Sequence, residues 1–270
     1  MTSRSRGGNL FDMISLNGFP PVDQNSFYFR GRVSYIATDF LMYPSADISG
    51  HYKLGLGTER TYGPHFDFSV FAQPSGLFFN CGATIAFNPL PLFSLEVTPF
   101  YYLSYARSVQ NTFAFRKRKV SEMEKMAPLF NPHFGEGEGS PGITINPVIS
   151  LGGLLTLENR MSFYFFRDMI FHPIHNMPVR KSFVWSPTLT ALAPFSRHFF
   201  FGVHGGGTVK VTLDKTDHYA GQKYNAFAGP ILVFPTIVDK LNLALLGTYM
   251  IKRSDENNRF YVVVSLQTQI

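Results

Sequence analysis

One cysteine, Cys81, stands among 270 residues, so an internal disulfide and a cysteine cluster for a metal are both excluded. Charge is also scarce. Asp, Glu, Lys and Arg make up 16% of the chain, against about 25% in water-facing domains. Long apolar runs are missing too. Even the greasiest stretches are broken within a few residues by Ser, Thr, Asn, Gly or a charge, so no run of about 18 apolar residues exists to form a membrane helix. The first residues, MTSRSRGGNLFDMISLNG, hold two early arginines but no apolar core and no small-residue cleavage site. They do not read as a signal peptide. A mature protein with an added Met is the expectation, with a barrel that never meets a secretory translocon as the alternative.

What the chain does have is aromatic residues, with 29 Phe and 13 Tyr, and 45% hydrophobic residues overall. Little charge and much apolar surface point to an exterior that faces something other than water. If that solvent is lipid, the backbone must bond to itself, and a chain without membrane helices can do so only as a closed barrel.

Alternation supports this. Between 93 and 105 every odd residue is apolar (Phe93, Leu95, Val97, Pro99, Tyr101, Leu103, Tyr105), and Ser94, Glu96, Thr98 and Ser104 lie between them. One face is greasy and the other mostly wet, as a strand between lipid and lumen requires. The same pattern marks 27–37, 52–58, 66–72, 77–87, 143–151, 161–171, 183–193, 199–213, 224–234, 241–251 and 260–270. About twelve strands of membrane-crossing length are predicted, an even number as in bacterial single-chain barrels. The fold class expected is all-β, a transmembrane antiparallel up-and-down barrel. No internal repeat suggests a propeller, and a soluble β-protein would carry more charge outside its strands.

The connections are expected to alternate in length. Those at 39–50, 106–142, 173–182 and 214–221 read as long and 253–258 as moderate, while those near Gly63 and Pro64, and at 88–90, 158–160, 194–196 and 235–240, read as short. Only 73–76 breaks the order. Residues 1–25 are expected to form a periplasmic or plug segment and 26–270 the barrel, with 106–142 as a long extracellular loop.

The final strand, RFYVVVSLQTQI, sets Phe260, Val262, Val264, Leu266 and Ile270 on one parity. This resembles the C-terminal signal that outer-membrane proteins present to the barrel-assembly machinery, although Ile270 replaces the usual terminal aromatic. Together with the strand pattern over 26–270, the chain resembles the bacterial outer-membrane porin-like superfamily. The resemblance implies a place in the bacterial outer membrane, with the mitochondrial outer membrane as the alternative, and lipid and lipopolysaccharide as surroundings.

The net charge of +6 has to be located along the chain. Taking the polar parity as lumenal, the inner face carries Arg30, Arg32, Lys53, His65, Asp67, Glu96, Asp168, His204, Lys210, Lys223, Lys252 and Arg259. Arg30 and Arg32 stack roughly 7 Å apart on one face, and Arg259 on the closing strand is expected to extend them into a basic seam. A basic lumen would favour small anionic solutes, as rings of Arg or Lys do in anion pores. Alternatively, the cations pair with Asp67, Glu96 and Asp168, and large inward residues (Tyr28, Tyr102, Tyr164, Phe166, Phe200, Tyr261) close the bore. That version is a non-conducting barrel for adhesion, secretion or envelope structure.

Other signals are weaker. Arg167 falls on the apolar face beside Phe165 and Met169, which places it at headgroup level or marks a bulge. The loop at 106–142 carries Arg116, Lys117, Arg118 and Lys119, a run that would reach into the pore or touch lipopolysaccharide phosphates. Basic residues dispersed by parity do not fit nucleic acid. The stretch GVHGGG at 202–207 reads as a thinned strand rather than a catalytic loop. His172 and His175 lack the spacing and carboxylate of a metal site, and no cofactor is expected. Outer-membrane lipid hydrolases set His and Ser close together on one strand. No histidine here has Ser beside it or two residues after it, so no enzyme is expected.

Overall fold

The computed structural model describes residues 22–38, 42–58, 63–76, 78–90, 92–104, 138–151, 154–172, 175, 177–196, 199–213, 224–238, 241–253 and 260–269. They form twelve strands: β1 Ser26–Thr38, β2 Met42–Gly55, β3 His65–Pro74, β4 Phe78–Leu90, β5 Phe93–Ser104, β6 Glu138–Leu151, β7 Leu155–His172, β8 Met177–Ser196, β9 Phe199–Thr212, β10 Tyr224–Val238, β11 Leu241–Arg253 and β12 Phe260–Gln269. Each strand pairs antiparallel with its chain neighbours, and β1 closes on β12. Closure removes the unpaired edges that lipid would penalise.

The exterior is apolar. Phe27 is 77% exposed and Val70 65%, and Ile48, Val203, Ile251 and Val264 join them. The rims differ in chemistry. At the end where β1 begins, outward rings pack in contact: Phe27 with Tyr52, Phe66 with Phe87, and Phe199 with Phe195 and Phe234. Exposed tyrosines Tyr35, Tyr101, Tyr224 and Tyr249 lie toward the opposite end. Two aromatic girdles around an apolar band are the surface of a barrel surrounded by lipid.

Proline sits inside strands that have no edge, and the ladders show how. Pro99 pairs with Ile143 of β6, while the β4–β5 ladder skips from Gly82/Phe100 to Ile85/Val97. Pro187 and Pro230 repeat this, each paired on one side and facing a gap on the other. The missing N–H is thus turned to positions where no ladder bond is made. Glycine often stands near the gap. A Cβ on Gly206 would run into the Pro187 carbonyl oxygen. The 202–207 stretch is therefore a thinned strand in β9, close to the backbone of β8, as its composition suggested.

Several predicted boundaries are corrected. β2 begins at Met42, so 39–50 is not a long loop. Pro44 and Gly50 read as breakers, but both lie on the outward parity, and Pro44 lies beyond the β2–β3 ladder that runs from Ile48 to Gly55. β7 reaches His172 and β8 starts at Met177, so 173–182 is not a long loop. β6 starts at Glu138 rather than near 143, which shortens the long loop at its C-terminal end. The β2–β3 connection, expected to be short, spans 56–64. The basic run at 116–119 lies outside the described residues. Near Arg167 the β7–β8 register shifts between Phe165 and Ile170, the bulge that its parity violation signalled.

Candidate functional site: the lumen

Inward positions follow the polar parity on every strand, so the lumen is assembled from single rungs of twelve strands. Arg30 donates through Nε to Gln269 Oε1 across the closing seam at 3.2 Å, and its guanidinium lies 5.1 Å from the Tyr28 ring centroid. Arg32 forms an ion pair with Asp47 at 2.5 Å. Lys53 is buried and donates to the Val22 carbonyl at 2.8 Å. His65 donates from Nδ1 to Gly63 O at 2.7 Å. Glu96 accepts from Asn146 Nδ2 at 3.1 Å, and His204 Nδ1 lies 2.9 Å from Thr190 Oγ1. Lys210 is buried on β9. Asp168 and Lys252 belong to β7 and β11, while Lys223 and Arg259 lie outside the described residues.

The basic seam does not form as expected. Antiparallel pairing sets Gln269 and Gln267 beside Arg30 and Arg32, whereas the start of β12 faces Thr38 at the other end of β1. Among the described residues glutamines border the two arginines at the seam.

Toward the long-loop end, aromatic rings fill the interior. Tyr102, 1% exposed, stacks on Phe78 at 5.1 Å and on His172 at 4.7 Å, and meets Phe166, 0% exposed, edge-on at 5.8 Å. These contacts join β5 to β7 across β6. They are possible because β6 turns only Ser140, Gly142 and Thr144 inward at that level. Tyr261, and Phe200 at the opposite end, pack against the wider apolar cluster that continues through Leu192, Ile231, Val233 and Val263. Among the described residues the inward rings Tyr28, Tyr102, Tyr164 and Phe166 are buried, and so are most inward polar side chains.

His175, in the turn between β7 and β8, is drawn into this packing. Its Nε2 lies 2.7 Å from Tyr164 Oη, its Nδ1 3.5 Å from Ser186 Oγ, and its carbonyl accepts from Asn225 Nδ2 at 2.9 Å. Burial, reinforced by the Arg160 charge, pushes it down to about 3, so it is neutral near pH 7. His172 and His175 sit with ring centroids 4.5 Å apart, but His175 spends both ring nitrogens on side-chain hydroxyls. Among the described residues no group of three metal-ligating side chains gathers.

Nearer the opposite end lies a polar chain that the sequence reading missed. Ser49 Oγ is 2.8 Å from His51 Nε2, and His51 Nδ1 is 3.1 Å from Asp67 Oδ1. Tyr28 stacks on His51 at 4.5 Å and donates to Asp67 Oδ2 at 2.6 Å. The signal was present: Ser49 precedes His51 by two residues on the inward parity, and a search for serine only after histidine passes over it. Asp67, which one of the two alternatives for the lumen pairs with a cation, bonds a tyrosine and a histidine and lies directly across from Lys53 on β2.

The sequence matches no protein-family model and no curated protein. Its structural neighbours are bacterial outer-membrane porins and barrels. An outer-membrane channel from Pseudomonas putida F1 superposes with a TM-score of 0.50 at 10% identity, over 93% of this chain and 97% of that one. The translocator domain of the autotransporter NalP from Neisseria meningitidis gives 0.47 at 8% identity over 93% and 88%. The KdgM porin in complex with disordered oligogalacturonate gives 0.45 at 9% over 88% and 98%. At such identities the likeness is one of fold.

Proposed function

We propose that this chain is a bacterial outer-membrane channel for small, anionic solutes, closed in the conformation described. The observation that carries the reading is the placement of Arg30, Arg32, Lys53, Arg160 and Lys210 on the inner face beside Asp47, Asp67, Glu96 and Glu158. Buried charge is costly unless paired and hydrogen-bonded, and neutral side chains would fill a purely structural interior without that cost. An ion-bearing wall suits solutes that exchange one set of partners for another. The twelve-strand barrel has the width of neither the filled eight-stranded barrels nor the wide porins, so passage requires the ring cluster around Tyr102 to part.

The remaining expectations follow from the same reading. On this reading residues 1–25 serve as a periplasmic or plug segment, supported at residues 22–25 by the Lys53 bond to Val22 O and by Asn25 N donating to Lys53 O. The apolar outer parity of β12 (Val262, Val264, Leu266) addresses the barrel-assembly machinery, and lipid with lipopolysaccharide surrounds the band.

Planar-bilayer recording with a salt gradient tests the proposal. Discrete openings with a reversal potential on the anion side are expected, and Arg30→Gln should move that potential toward neutrality. A cation preference overturns the anionic version. The second reading, a non-conducting barrel, is favoured by the burial of Tyr102 and Phe166. A folded, inserted barrel silent at every voltage, also as the ring-deleted variant Tyr102→Ala, would establish it.

A further inference from the structure

We propose that the lumen also carries a serine hydrolase centre, with Ser49 as nucleophile, His51 as general base and Asp67 holding the imidazole. This goes beyond the channel reading and does not depend on it. The geometry is ordered as nucleophilic catalysis requires: the hydroxyl on Nε2 at 2.8 Å, the carboxylate on Nδ1 at 3.1 Å. The fold produces it simply. Ser49 and His51 are neighbours on the inward parity of β2, and Asp67 is two residues from Ser69, which faces His51 in the β2–β3 ladder.

The imidazole is held on several sides. Tyr28 lies parallel to it, with 12° between the planes. The same tyrosine bonds the second carboxylate oxygen at 2.6 Å, so Asp67 is anchored through both oxygens. A polar chain that served only to satisfy buried groups would need no free end. Here the chain ends on Ser49, which is half-buried and remains partly accessible.

The surroundings of Ser49 define the substrate class. Arg30 stands directly across from it on β1 and Phe71 directly across on β3. Cross-strand partners have their Cβ atoms about 5 Å apart, so the Arg30 side chain starts beside Ser49. Although its Nε donates to Gln269 on the β12 side, it brings a positive charge into the part of the lumen where an oxyanion would develop. On the other side Phe71 lies over Gly82, whose missing Cβ would come 3.0 Å from that ring. A small carboxylic ester with an apolar acyl group fits between them. Ser49 Oγ adds to the carbonyl carbon while its proton passes to His51 Nε2. The tetrahedral intermediate collapses, and the leaving alkoxide departs as the alcohol with that proton. Water, deprotonated by His51, then cleaves the acyl-serine ester, releasing the carboxylic acid and restoring Ser49 with the returned proton.

The test uses the folded full-length chain in detergent, its folding checked by heat-shifted electrophoretic mobility, with a fluorophosphonate probe and p-nitrophenyl acetate as substrate. Labelling at the Ser49 peptide and ester turnover are expected. Ser49→Ala should abolish both, whereas Ser69→Ala should keep them. His51→Gln should lower kcat by about 10²- to 10⁴-fold, the usual share of a general base. Asp67 and Tyr28 are positioning residues, so Tyr28→Phe should displace the pH–rate profile with KM unchanged. A folded wild-type barrel that is neither labelled nor active overturns the proposal, and so does a Ser49→Ala variant that hydrolyses at the wild-type rate.

Discussion

Arg32 and Asp47 face each other across the β1–β2 ladder and close an ion pair of 2.5 Å, with their side chains 7% and 16% exposed. Removing one partner from a pair so enclosed takes from the other buried charge its counter-ion in this pair. Asp47→Asn is therefore expected to destabilise the barrel by about 3 kcal/mol, and the apolar double substitution Arg32→Met with Asp47→Leu to restore most of the loss. Urea midpoints for reversible folding into vesicles measure both. Equal midpoints for wild type and Asp47→Asn would mean the pair is hydrated rather than buried.

The second prediction concerns the proline gaps. Pro187 already faces a skipped part of the β8–β9 ladder, so Pro187→Ala should stay within about 0.5 kcal/mol of wild type. Gly206→Val is the opposite case. Its Cβ would run into the Pro187 carbonyl oxygen and come 3.0 Å from Thr188, and two strands would have to separate. A loss of about 2 kcal/mol or more is expected, read from the same folding titration. The ordering of the two variants is the decisive outcome.

The third prediction is a pH dependence located at the β7–β8 turn. His175 lies outside the strands, and burial holds it at about 3 in the folded protein, against about 6.5 when unfolded. A histidine with a lowered folded value stays neutral in the fold while the unfolded chain takes up a proton. The resulting stability is complete above pH 6.5 and is lost as pH falls toward 3. At pH 4 the loss is about 3 kcal/mol. The protection factors of amides within 177–180, which take out the intrinsic slowing of exchange with falling pH, should drop between pH 7 and pH 4, and His175→Gln should flatten that dependence. Protection factors unchanged across this window would mean that the ring is not sealed in the turn.

The parts that were legible in the sequence, and the parts that were not, divide along physical lines. A period of two survives wherever an outward Phe, Leu, Ile or Val repeats, so β5 and β12 could be read nearly to their ends. β2 could not, because Pro44, Ala46 and Gly50 occupy outward positions without bulk, and the strand looks like a turn. The inner face was legible as a set of residues but not as contacts. Tyr102 reaches His172 only because Ser140 and Gly142 on the intervening strand are small, and Asp67 meets His51 only in one register of β2 against β3. Periodicity says which way a side chain points. It does not say which rung of the next strand receives it.

The last prediction concerns the outside. Val70 lies at mid-strand on β3 and Phe27 at the start of β1, both turned outward. If lipid covers this face, a charge at the two positions meets different depths. Val70→Arg should cost about 2 to 4 kcal/mol, whereas Phe27→Arg, at the aromatic rim where the guanidinium reaches headgroups, should cost about 0 to 1 kcal/mol. In a water-covered protein an exposed Val→Arg change would stay within about 0.5 kcal/mol, so the difference between the variants reports the surrounding solvent directly. Folding titrations into phosphatidylcholine vesicles of two acyl lengths sharpen the test. Thicker bilayers draw the rim position deeper, so the Phe27→Arg penalty should grow with chain length while that of Val70→Arg stays near its maximum. Equal penalties at both positions in both lipids would mean that the apolar band does not span hydrocarbon.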